Sequence, residues 1–468
     1  MLFSNITFLF LFLPLALVLY YLVPKGWKNV ILLLISLLFF AWGEPVYLVL
    51  MILSILINYV YGLDIYKKLQ NSKEAKADLI CAILVNLLIL GFFRYYGFLV
   101  HTINDIFSIQ IPYRRLATPI GISIYTFQAL SYLIDVYRGK VEAQKNIWQY
   151  ALFTTMFPQL IAGPIVRYHE IEAQLKDRVL SMEKFGRGAM CFILGLGKKV
   201  LLAGTFAHIF SFVQSIPEGN VSVLTAWVGV FAFGLQIYFD FSGYADMAIG
   251  LGKMFGFELP ENFNYPYIAT GIADFWQRWN ITLGNWFREY VYQPLGGEDR
   301  DLSRNIINLL FVWGLIGLWH GGSWNLVLWG LYYGILLVVE RYVGRNILAA
   351  LPKAISRITT IVLVMMGWTI FFSSTPGETF RYLRLLFGGG ASTFVDTQGW
   401  FLLFNNWLFF VVAVLVVSAA GMRLLQFVLD AFASRRVRRI VICTVYFGIL
   451  FLSLAFLLAE NYRPFFSL

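Results

Sequence analysis

The chain has 468 residues, of which 59% are hydrophobic and only 13% are charged, and its formal net charge is +10. A soluble domain carries about 25% charged residues, so this composition excludes a disordered chain and a fibre and argues against a water-soluble enzyme. The basic residues form short clusters between apolar runs and no stripe with stacking aromatic residues, which favours membrane topology over nucleic-acid binding.

Long apolar runs follow one another along the whole chain. A helix that crosses a membrane needs about 20 mainly apolar residues, and shorter runs are typical of re-entrant or interfacial helices. We therefore predict an all-α polytopic membrane protein with about ten to twelve transmembrane helices, in a single domain over residues 1–468. The runs lie near residues 2–23, 29–43, 46–63, 78–99, 147–163, 188–214, 222–239, 305–319, 323–339, 355–372, 401–420 and 440–459.

Basic residues between the runs predict the orientation of the chain. Lysines at 25 and 28 follow the first run, and four more between residues 67 and 76 follow the third. Cytoplasmic loops of membrane proteins collect Lys and Arg, so both clusters are expected in the cytoplasm, which places the N-terminus outside. No basic residue precedes the first run and no small-residue cleavage site follows it, so we expect a retained helix and not a removed signal peptide.

Two polar islands interrupt the apolar pattern before residue 250. Residues 157–167 contain two prolines, which should break or bend a helix. Further on, Asp240 and Asp246 lie close to membrane level. Two acids at that depth are suited to binding a cation or to relaying protons in a transporter, and equally to pairing with Arg or to capping backbone groups at a broken helix.

A third polar island covers residues 274–285, with the sequence DFWQRWNITLGN. Helical spacing allows Asp274 to pair with Arg278 and places Arg278, Thr282 and Asn285 on one face of an amphipathic helix. Arginine suits phosphate, and the tryptophans of the segment add stacking surface. The pattern is typical of a site for a phosphate-bearing or acyl-bearing donor, and also of a helix that anchors the protein at the level of the lipid headgroups.

Of the four histidines, His320 is the strongest candidate for chemistry. It lies in the sequence WHGGSW (319–324) between two apolar runs, where an ionisable side chain is costly and by default functional. Imidazole titrates near neutrality and can take a proton from a hydroxyl group. The alternative is a core histidine bonded to a backbone carbonyl and packed by the neighbouring glycines. The histidines at 101, 169 and 208 lie in an outer loop, a charged segment and an apolar run, and are weaker candidates.

Several types of site are missing from the sequence. It has no Gly-rich phosphate loop, GxSxG elbow or HExxH motif. Its three cysteines, at 81, 191 and 443, form neither a disulfide scaffold nor a zinc-binding pattern. We predict no metal site and no tightly bound cofactor.

The polar islands together resemble the membrane-bound O-acyltransferase (MBOAT) superfamily, and within it the bacterial branch of alginate O-acetyltransferase-like proteins, with the teichoic-acid D-alanyl transfer protein as a cousin. The similar stretches follow the family order through residues 119–334, and the flanking helices are also similar. These stretches are PIGISIYTFQALSYLIDVYRG (119–139), FPQLIAGPIVRY (157–168), QIYFDFSGYADMAIGLGKMFGF (236–257), ENFNYPY (261–267), DFWQRWNITLGNWFREYVYQPLGG (274–297) and GLWHGGSWNLVLWGLYYG (317–334).

The resemblance implies catalytic roles for two residues. His320 matches the intramembrane catalytic histidine of the family. The family commonly has a second histidine in its DFWxRWHxTL motif, where this chain has Asn280. That departure weakens any two-histidine mechanism, although an amide can still donate a hydrogen bond to a carbonyl or acceptor oxygen. The same motifs imply that the donor side of a tunnel is shaped by Asp274, Arg278, Trp279, Trp319 and Ser323.

The resemblance also implies a fold and a function. The fold is a ring of tilted helices around a central tunnel, with the histidine near its floor. The function is transfer of a short acyl group, most simply acetyl, from a cytoplasmic thioester such as acetyl-CoA. The acceptor is an extracytoplasmic polysaccharide, such as alginate or another exopolysaccharide, reached directly or through a partner acetyltransferase or polysaccharide synthase complex. The location is the plasma membrane of a bacterium, with membrane lipid as a partner and no nucleic acid.

Three alternatives stay open. Within the enzyme class, the group can be D-alanyl or another acyl group carried to a cell-wall polymer. From another class, the chain can be a proton-coupled transporter that uses Asp240 and Asp246, although transporters usually show paired repeats and none is visible. A third hypothesis, encouraged by Asn280, is a non-catalytic scaffold for polysaccharide synthesis.

Overall fold

The computed structural model describes residues 2–70, 72–113, 116–161, 163–217, 219–297, 301–344, 351–432 and 434–459. The structure described in these ranges is 78% helical and contains no β-strand. A single isolated antiparallel bridge joins Phe263 and Trp279. The prediction of an all-α polytopic protein is therefore confirmed.

Nine helices in the described ranges are long and apolar enough to cross a membrane. They are Lys25–Gly43, Tyr47–Lys67, Ser72–Phe107, Met182–Ser215, Val223–Met254, Leu302–His320, Trp324–Gly344, Lys353–Phe372 and Arg435–Ala459. The pair Thr397–Asn405 and Trp407–Val417 makes a tenth if it counts as one span, and it is bent by 65°. The remaining helices are shorter, and the principal ones are Phe8–Leu22, Ile122–Tyr137, Ile147–Thr155, Phe157–Leu160, Tyr168–Lys176, Ile272–Arg278, Ile281–Phe287, Pro376–Leu386 and Ala420–Asp430.

Two apolar runs predicted as spans fold differently. The run 147–163 is divided at Met156, whose ψ of 110° is not helical, and a short helix with Pro158 in its first turn follows. Proline lacks the backbone N–H that a continuous helix needs, so the predicted break is confirmed and the run does not form one span. The first run forms Phe8–Leu22, which is shorter than the helices that qualify as spans.

The helices group into two compact units, of which the first comprises the chain up to Phe192 together with Met247–Pro260. Its most buried element is Ile122–Tyr137, which carries the polar residues Gln128 and Asp135 in its interior. Asp135 Oδ2 lies 2.9 Å from His169 Nδ1. His169, which lies in a charged segment of the sequence, is therefore partly covered and pairs with a buried carboxylate.

The second unit comprises Ile193–Asp246 and the chain from Glu261 onward. Its Leu302–His320 and Trp324–Gly344 helices approach unusually closely at two glycines. A Cβ on Gly317 would lie 2.2 Å from the Leu326 carbonyl oxygen, and one on Gly330 would lie 2.1 Å from the Trp313 carbonyl oxygen. Only glycine allows this contact, and it holds His320, at the end of the first helix, against the second. The single domain, the helix ring and the tunnel stay predictions.

Candidate active site

His320 is the last residue of the Leu302–His320 helix, and a short connection leads directly into the next helix. The side-chain oxygen of Ser323 accepts a hydrogen bond from the backbone N–H of Leu326 at 3.3 Å, so Ser323 is the N-cap of that helix. Gly321 packs against Leu326, whose Cδ1 would lie 2.6 Å from an added Cβ. The connection therefore fixes the backbone position of His320 between two rigid helices.

Aromatic rings surround the half-buried imidazole of His320. Its centroid lies 4.8 Å from the adjacent Trp319, 4.9 Å from Trp329 and 5.5 Å from Phe371. The Trp329 and Phe371 rings meet it nearly at right angles, at 80° and 81°. They come from the Trp324–Gly344 and Lys353–Phe372 helices, so packing of three helices orients the imidazole.

The segment around Asn280 is not the continuous helix that its spacing suggested. Ile272–Arg278 ends at Trp279, which has extended backbone, and Asn280 adopts the left-handed region with φ 46° before Ile281–Phe287 begins. The expectation that Arg278, Thr282 and Asn285 share one helix face is therefore wrong. Asparagine and histidine are both enriched among residues with positive φ, so the backbone at this position accommodates either one.

Hydrogen bonds from the stretch around Asn262 hold the break between the two short helices in place. The Asn262 side-chain oxygen accepts hydrogen bonds from the backbone N–H of Thr282 at 3.0 Å and from its hydroxyl at 2.9 Å. The Asn262 carbonyl accepts from the Ile281 N–H at 3.0 Å, and the Asn264 N–H donates to the Arg278 carbonyl at 2.9 Å. Backbone groups freed by the break are thus satisfied.

The predicted pair between Asp274 and Arg278 is confirmed. Arg278 Nε lies 2.6 Å from Asp274 Oδ1, and Asp274 Oδ2 accepts a hydrogen bond from the Thr270 N–H at 3.1 Å. Trp279 is buried, with its ring 4.9 Å from Trp368 and 5.6 Å from Phe275. These residues therefore stabilise the first of the two short helices and its end.

Glu340 fixes the other end of that short helix. Its Oε2 accepts a hydrogen bond from the Ile272 N–H at 2.5 Å, and its Oε1 accepts one from the Ala273 N–H at 3.1 Å. A Cβ on Gly271 would lie 2.9 Å from Oε1. A carboxylate here replaces an N-cap side chain and also complements the positive end of the helix. Sequence reasoning missed Glu340 because it lies 68 residues away from Ile272.

A cavity of about 360 Å³ lies beside the broken segment. It is lined by Trp276, Gln277, Trp279, Asn280, Asn285, Arg288, Trp313, Ile316 and Arg341, among others. Of the predicted site residues, Trp279 and Asn280 line it, whereas Asp274, Arg278, Trp319, His320 and Ser323 do not. The cavity thus combines aromatic walls with amide side chains and two arginines.

The cavity lies close to His320 without containing it. Ile316, in the cavity wall, is one helical turn before His320. Trp276, also in the wall, has its ring centroid 5.6 Å from that of Trp329, which in turn contacts His320. Ring contacts through Trp276 and Trp329 therefore connect the cavity wall with the imidazole.

The two acids of the transporter hypothesis are both paired with lysines. Asp240 pairs with Lys199, with only 1% of each side chain exposed, and Lys198 Nζ lies 2.6 Å from Asp246 Oδ2. The two lysines begin a π-helical segment, Lys198–Ala203. Between the pairs, a Cβ on Gly243 would lie 2.6 Å from the Gly195 carbonyl oxygen. Two ion pairs therefore flank a close contact between two long helices.

No group of three or more His, Cys, Asp and Glu residues suited to a metal ion occurs in the part of the chain that the structure describes. The absence of a metal and of a tightly bound cofactor stays a prediction. His101, one of the weaker candidates, is exposed, and its Nδ1 lies 2.8 Å from Asp105 Oδ2.

Comparison with known proteins agrees with the motifs. The profile of the MBOAT, membrane-bound O-acyltransferase family, matches residues 32–376. The chain is 40% identical to the probable alginate O-acetylase of Pseudomonas aeruginosa, over 83% of this chain and 75% of that protein. It is 35% identical to the peptidoglycan O-acetyltransferase of Helicobacter pylori, over 83% of this chain and 80% of that protein.

A more distant similarity links the chain to the teichoic acid D-alanyltransferase of Bacillus subtilis, at 27% identity over 49% of this chain and 61% of that protein. The matched profile includes both Asn280 and His320. The resemblance drawn from the motifs is confirmed, and with it the enzyme class. The chain belongs to the membrane-bound O-acyltransferase family and is a multi-pass membrane O-acyltransferase.

Proposed function

We propose that this enzyme transfers an acetyl group from a cytoplasmic thioester to a hydroxyl group of an extracytoplasmic polysaccharide, with His320 as the general base. The observation that carries the proposal is the position of His320. It ends a membrane-spanning helix, is held by rings from two others, and lies one helical turn beyond the wall of a cavity with polar and aromatic walls.

The cavity suits an acyl thioester with a phosphate-bearing carrier, such as acetyl-CoA. The guanidinium groups of Arg288 and Arg341 are donors of the kind that bind phosphate oxygens. The side chains of Gln277 and Asn285 match the amide groups of a pantetheine arm. Trp276 and Trp313 provide apolar surface for the acyl end. We assign the thioester as a co-substrate that is bound and released in each cycle.

In the proposed reaction, His320 takes the proton of the acceptor hydroxyl as its oxygen attacks the thioester carbonyl carbon. A C–O bond forms, the C–S bond breaks, and the leaving thiolate takes the proton from the imidazolium. The products are an O-acyl ester and a free thiol, so no other reactant is needed. We place the amide of Asn280 in the cavity wall as a hydrogen-bond donor to the donor or acceptor oxygen.

Orientation in the plasma membrane brings the two substrates to opposite sides of His320. We place Arg341 and the arginines between 435 and 439 in the cytoplasm, with the Lys353–Phe372 helix and the bent pair Thr397–Asn405 and Trp407–Val417 crossing the membrane between them. The Trp324 end of the Trp324–Gly344 helix, which follows His320 in the chain, then faces outward. The charged carrier then stays in the cytoplasm while the acyl group reaches an acceptor from outside.

The names of the relatives support a polysaccharide acceptor. Alginate and peptidoglycan are the polymers in the names of the P. aeruginosa and H. pylori proteins. We propose that the acceptor hydroxyl belongs to such a polymer or to a partner acetyltransferase that passes the acetyl group on. D-alanyl transfer is the second candidate, supported by the more distant 27% identity to the B. subtilis protein. The ion pairs of Asp240 and Asp246 support a structural role for these acids over proton coupling.

The test uses the full-length enzyme in proteoliposomes with acetyl-CoA labelled in the acetyl group. We expect wild type to release CoA thiol and to form base-labile acetyl ester on added alginate or peptidoglycan fragments, or on a polymer from the same cells. His320→Gln should abolish both signals while the protein stays inserted and folded. Thiol release and ester formation at the wild-type rate by His320→Gln would contradict the proposal.

A further inference from the structure

Trp329 is completely buried, yet its indole N–H has no hydrogen-bond acceptor among the described residues. Buried tryptophan N–H groups usually find a partner, and leaving one without an acceptor is unfavourable. A buried polar group without a hydrogen-bond partner calls for an explanation in a native structure, and a catalytic role is one such explanation.

Two other indoles of the same unit satisfy the rule. Trp368 Nε1 donates to the Tyr267 hydroxyl at 3.2 Å, and Trp227 Nε1 donates to the Leu386 carbonyl at 3.0 Å. Trp276 is the informative exception, because its buried Nε1 also has no acceptor in the described ranges. Trp276 and Trp329 are in ring contact, at 5.6 Å. Trp276, in the cavity wall, and Trp329, beside His320, therefore share this property and are in contact.

The position of Trp329 relates it to the reacting atoms. Its ring centroid lies 4.9 Å from that of His320 and 5.6 Å from that of Trp276, whose side chain lines the cavity. Tyr333, which also packs on Trp329 at 5.2 Å, has its hydroxyl engaged with the Val364 carbonyl at 3.3 Å. A thioester that extends from the cavity towards His320 would approach Trp329, because this ring contacts both Trp276 in the cavity wall and His320.

We propose that the indole N–H of Trp329 donates a hydrogen bond to the acyl carbonyl oxygen of the thioester. This inference rests on the proposed function. When the acceptor oxygen attacks the carbonyl carbon, negative charge develops on the carbonyl oxygen. A donor already in place, in a site shielded from water, stabilises that charge without reorganising. The N–H keeps its proton throughout, and His320 alone moves the proton of the hydroxyl.

The decisive variant is Trp329→Phe, which keeps an aromatic ring but removes the N–H. We expect kcat for acetyl transfer from acetyl-CoA to fall by about 100- to 1,000-fold with a small change in KM, as when one oxyanion donor is removed. The Tm should fall only by the cost of a smaller ring in a buried site, because the deleted N–H has no partner to lose. The matched control is Trp227→Phe, which loses a satisfied hydrogen bond and should show the reverse, a lower Tm with kcat unchanged.

A binding measurement keeps the inference testable if Trp329→Phe is poorly folded. Two analogues of acetyl-CoA are compared: a ketone with a methylene in place of sulfur, and a thioether without the carbonyl oxygen. Wild type should bind the ketone more tightly than the thioether. In Trp329→Phe, or in the milder Trp329→Tyr, that preference should disappear, and equal preference in wild type and variant overturns the inference.

The outcomes for the two proposals are separable. Full kcat in Trp329→Phe with an inactive His320→Gln would refute the role of Trp329 and leave the proposed function standing. Full activity in His320→Gln, or no turnover of acetyl-CoA by wild type, would refute the proposed function and this inference with it. A loss of Tm in Trp329→Phe equal to that of Trp227→Phe, with unchanged kcat, would make the indole a packing residue only.

Discussion

The carboxylate of Glu340 binds the backbone N–H groups of Ile272 and Ala273 at once, at 2.5 and 3.1 Å. One residue near the end of a membrane-spanning helix thereby holds the start of the short helix that carries Trp276 to the cavity wall. This contact connects the helix that packs against His320 with the segment that contains Asn280.

Glu340→Ala should therefore disturb the site more than the fold. Loss of an N-cap costs about 0.5–2 kcal/mol, and a displaced Trp276 should lower kcat/KM for acetyl transfer by roughly tenfold or more. Glu340→Asp should restore part of the rate. The control is Glu183→Ala, which removes an exposed pair with Arg187 and should have no effect. Equal rates in Glu340→Ala and wild type would refute the positioning role.

Substitutions at Asn280 can distinguish the effect of backbone strain from a role of the side chain in the reaction. Its φ of 46° is favourable for glycine and asparagine and costs about 1–2 kcal/mol for most other residues. We expect Asn280→Gly to keep the fold but lose rate, and Asn280→Ala to lose both rate and stability. Asn280→His should keep both, because histidine also tolerates positive φ. Rates and Tm values of the three variants provide the measurement, and a fully active Asn280→Gly would remove the amide from the mechanism.

The buried pair between Lys199 and Asp240 should behave as a structural unit. Removal of one partner leaves an uncompensated buried charge, which costs about 3–5 kcal/mol. Lys199→Met and Asp240→Leu should each lower the Tm strongly, whereas the double variant should recover most of it. The double variant should also retain acetyl transfer. An inactive but stable double variant would instead favour proton transfer through these residues.

Asp396 is expected to make the second unit sensitive to acid. Burial alone would raise the pKa of its carboxyl, but hydrogen bonds from Thr225, Gly399 and Ser222 outweigh burial and hold the pKa below its usual value. A lowered folded-state pKa contributes stability that is present above the unfolded-state pKa of about 3.9 and is lost as the pH falls through the folded-state value.

Asp396→Asn should therefore lower the Tm at pH 7 and flatten its decline below about pH 4. Thermal unfolding of both proteins between pH 7 and pH 3 provides the measurement. Parallel Tm curves for variant and wild type over that interval would contradict the assignment.

Local patterns predicted those features whose partners lie nearby along the chain. The pair of Asp274 and Arg278, the proline break after Met156 and the place of His320 between two apolar helices all follow from spacing and composition. Contacts between distant segments could not be predicted in this way. Glu340 caps a helix 68 residues earlier, and the break at Asn280 depends on Asn262, because each contact exists only after helices have packed.

The partners of the two acids at membrane depth could not be predicted either. Asp240 and Asp246 were recognisable as costly at membrane depth, but nothing in their own sequence names Lys199 and Lys198 as partners, which lie 41 and 48 residues away. The cavity also could not be predicted from local sequence, because its wall combines three separate stretches of chain.

Chemical rescue tests the central claim, that His320 is the base, most directly. His320→Ala removes the imidazole but leaves the cavity wall intact. Acetyl transfer from labelled acetyl-CoA should fall by about 100-fold or more, within the range of general-base contributions, and added imidazole should restore part of it in proportion to its unprotonated form. His208→Ala, with and without imidazole, is the control. If His320→Ala transfers acetyl groups at the wild-type rate, the chemistry does not take place at His320.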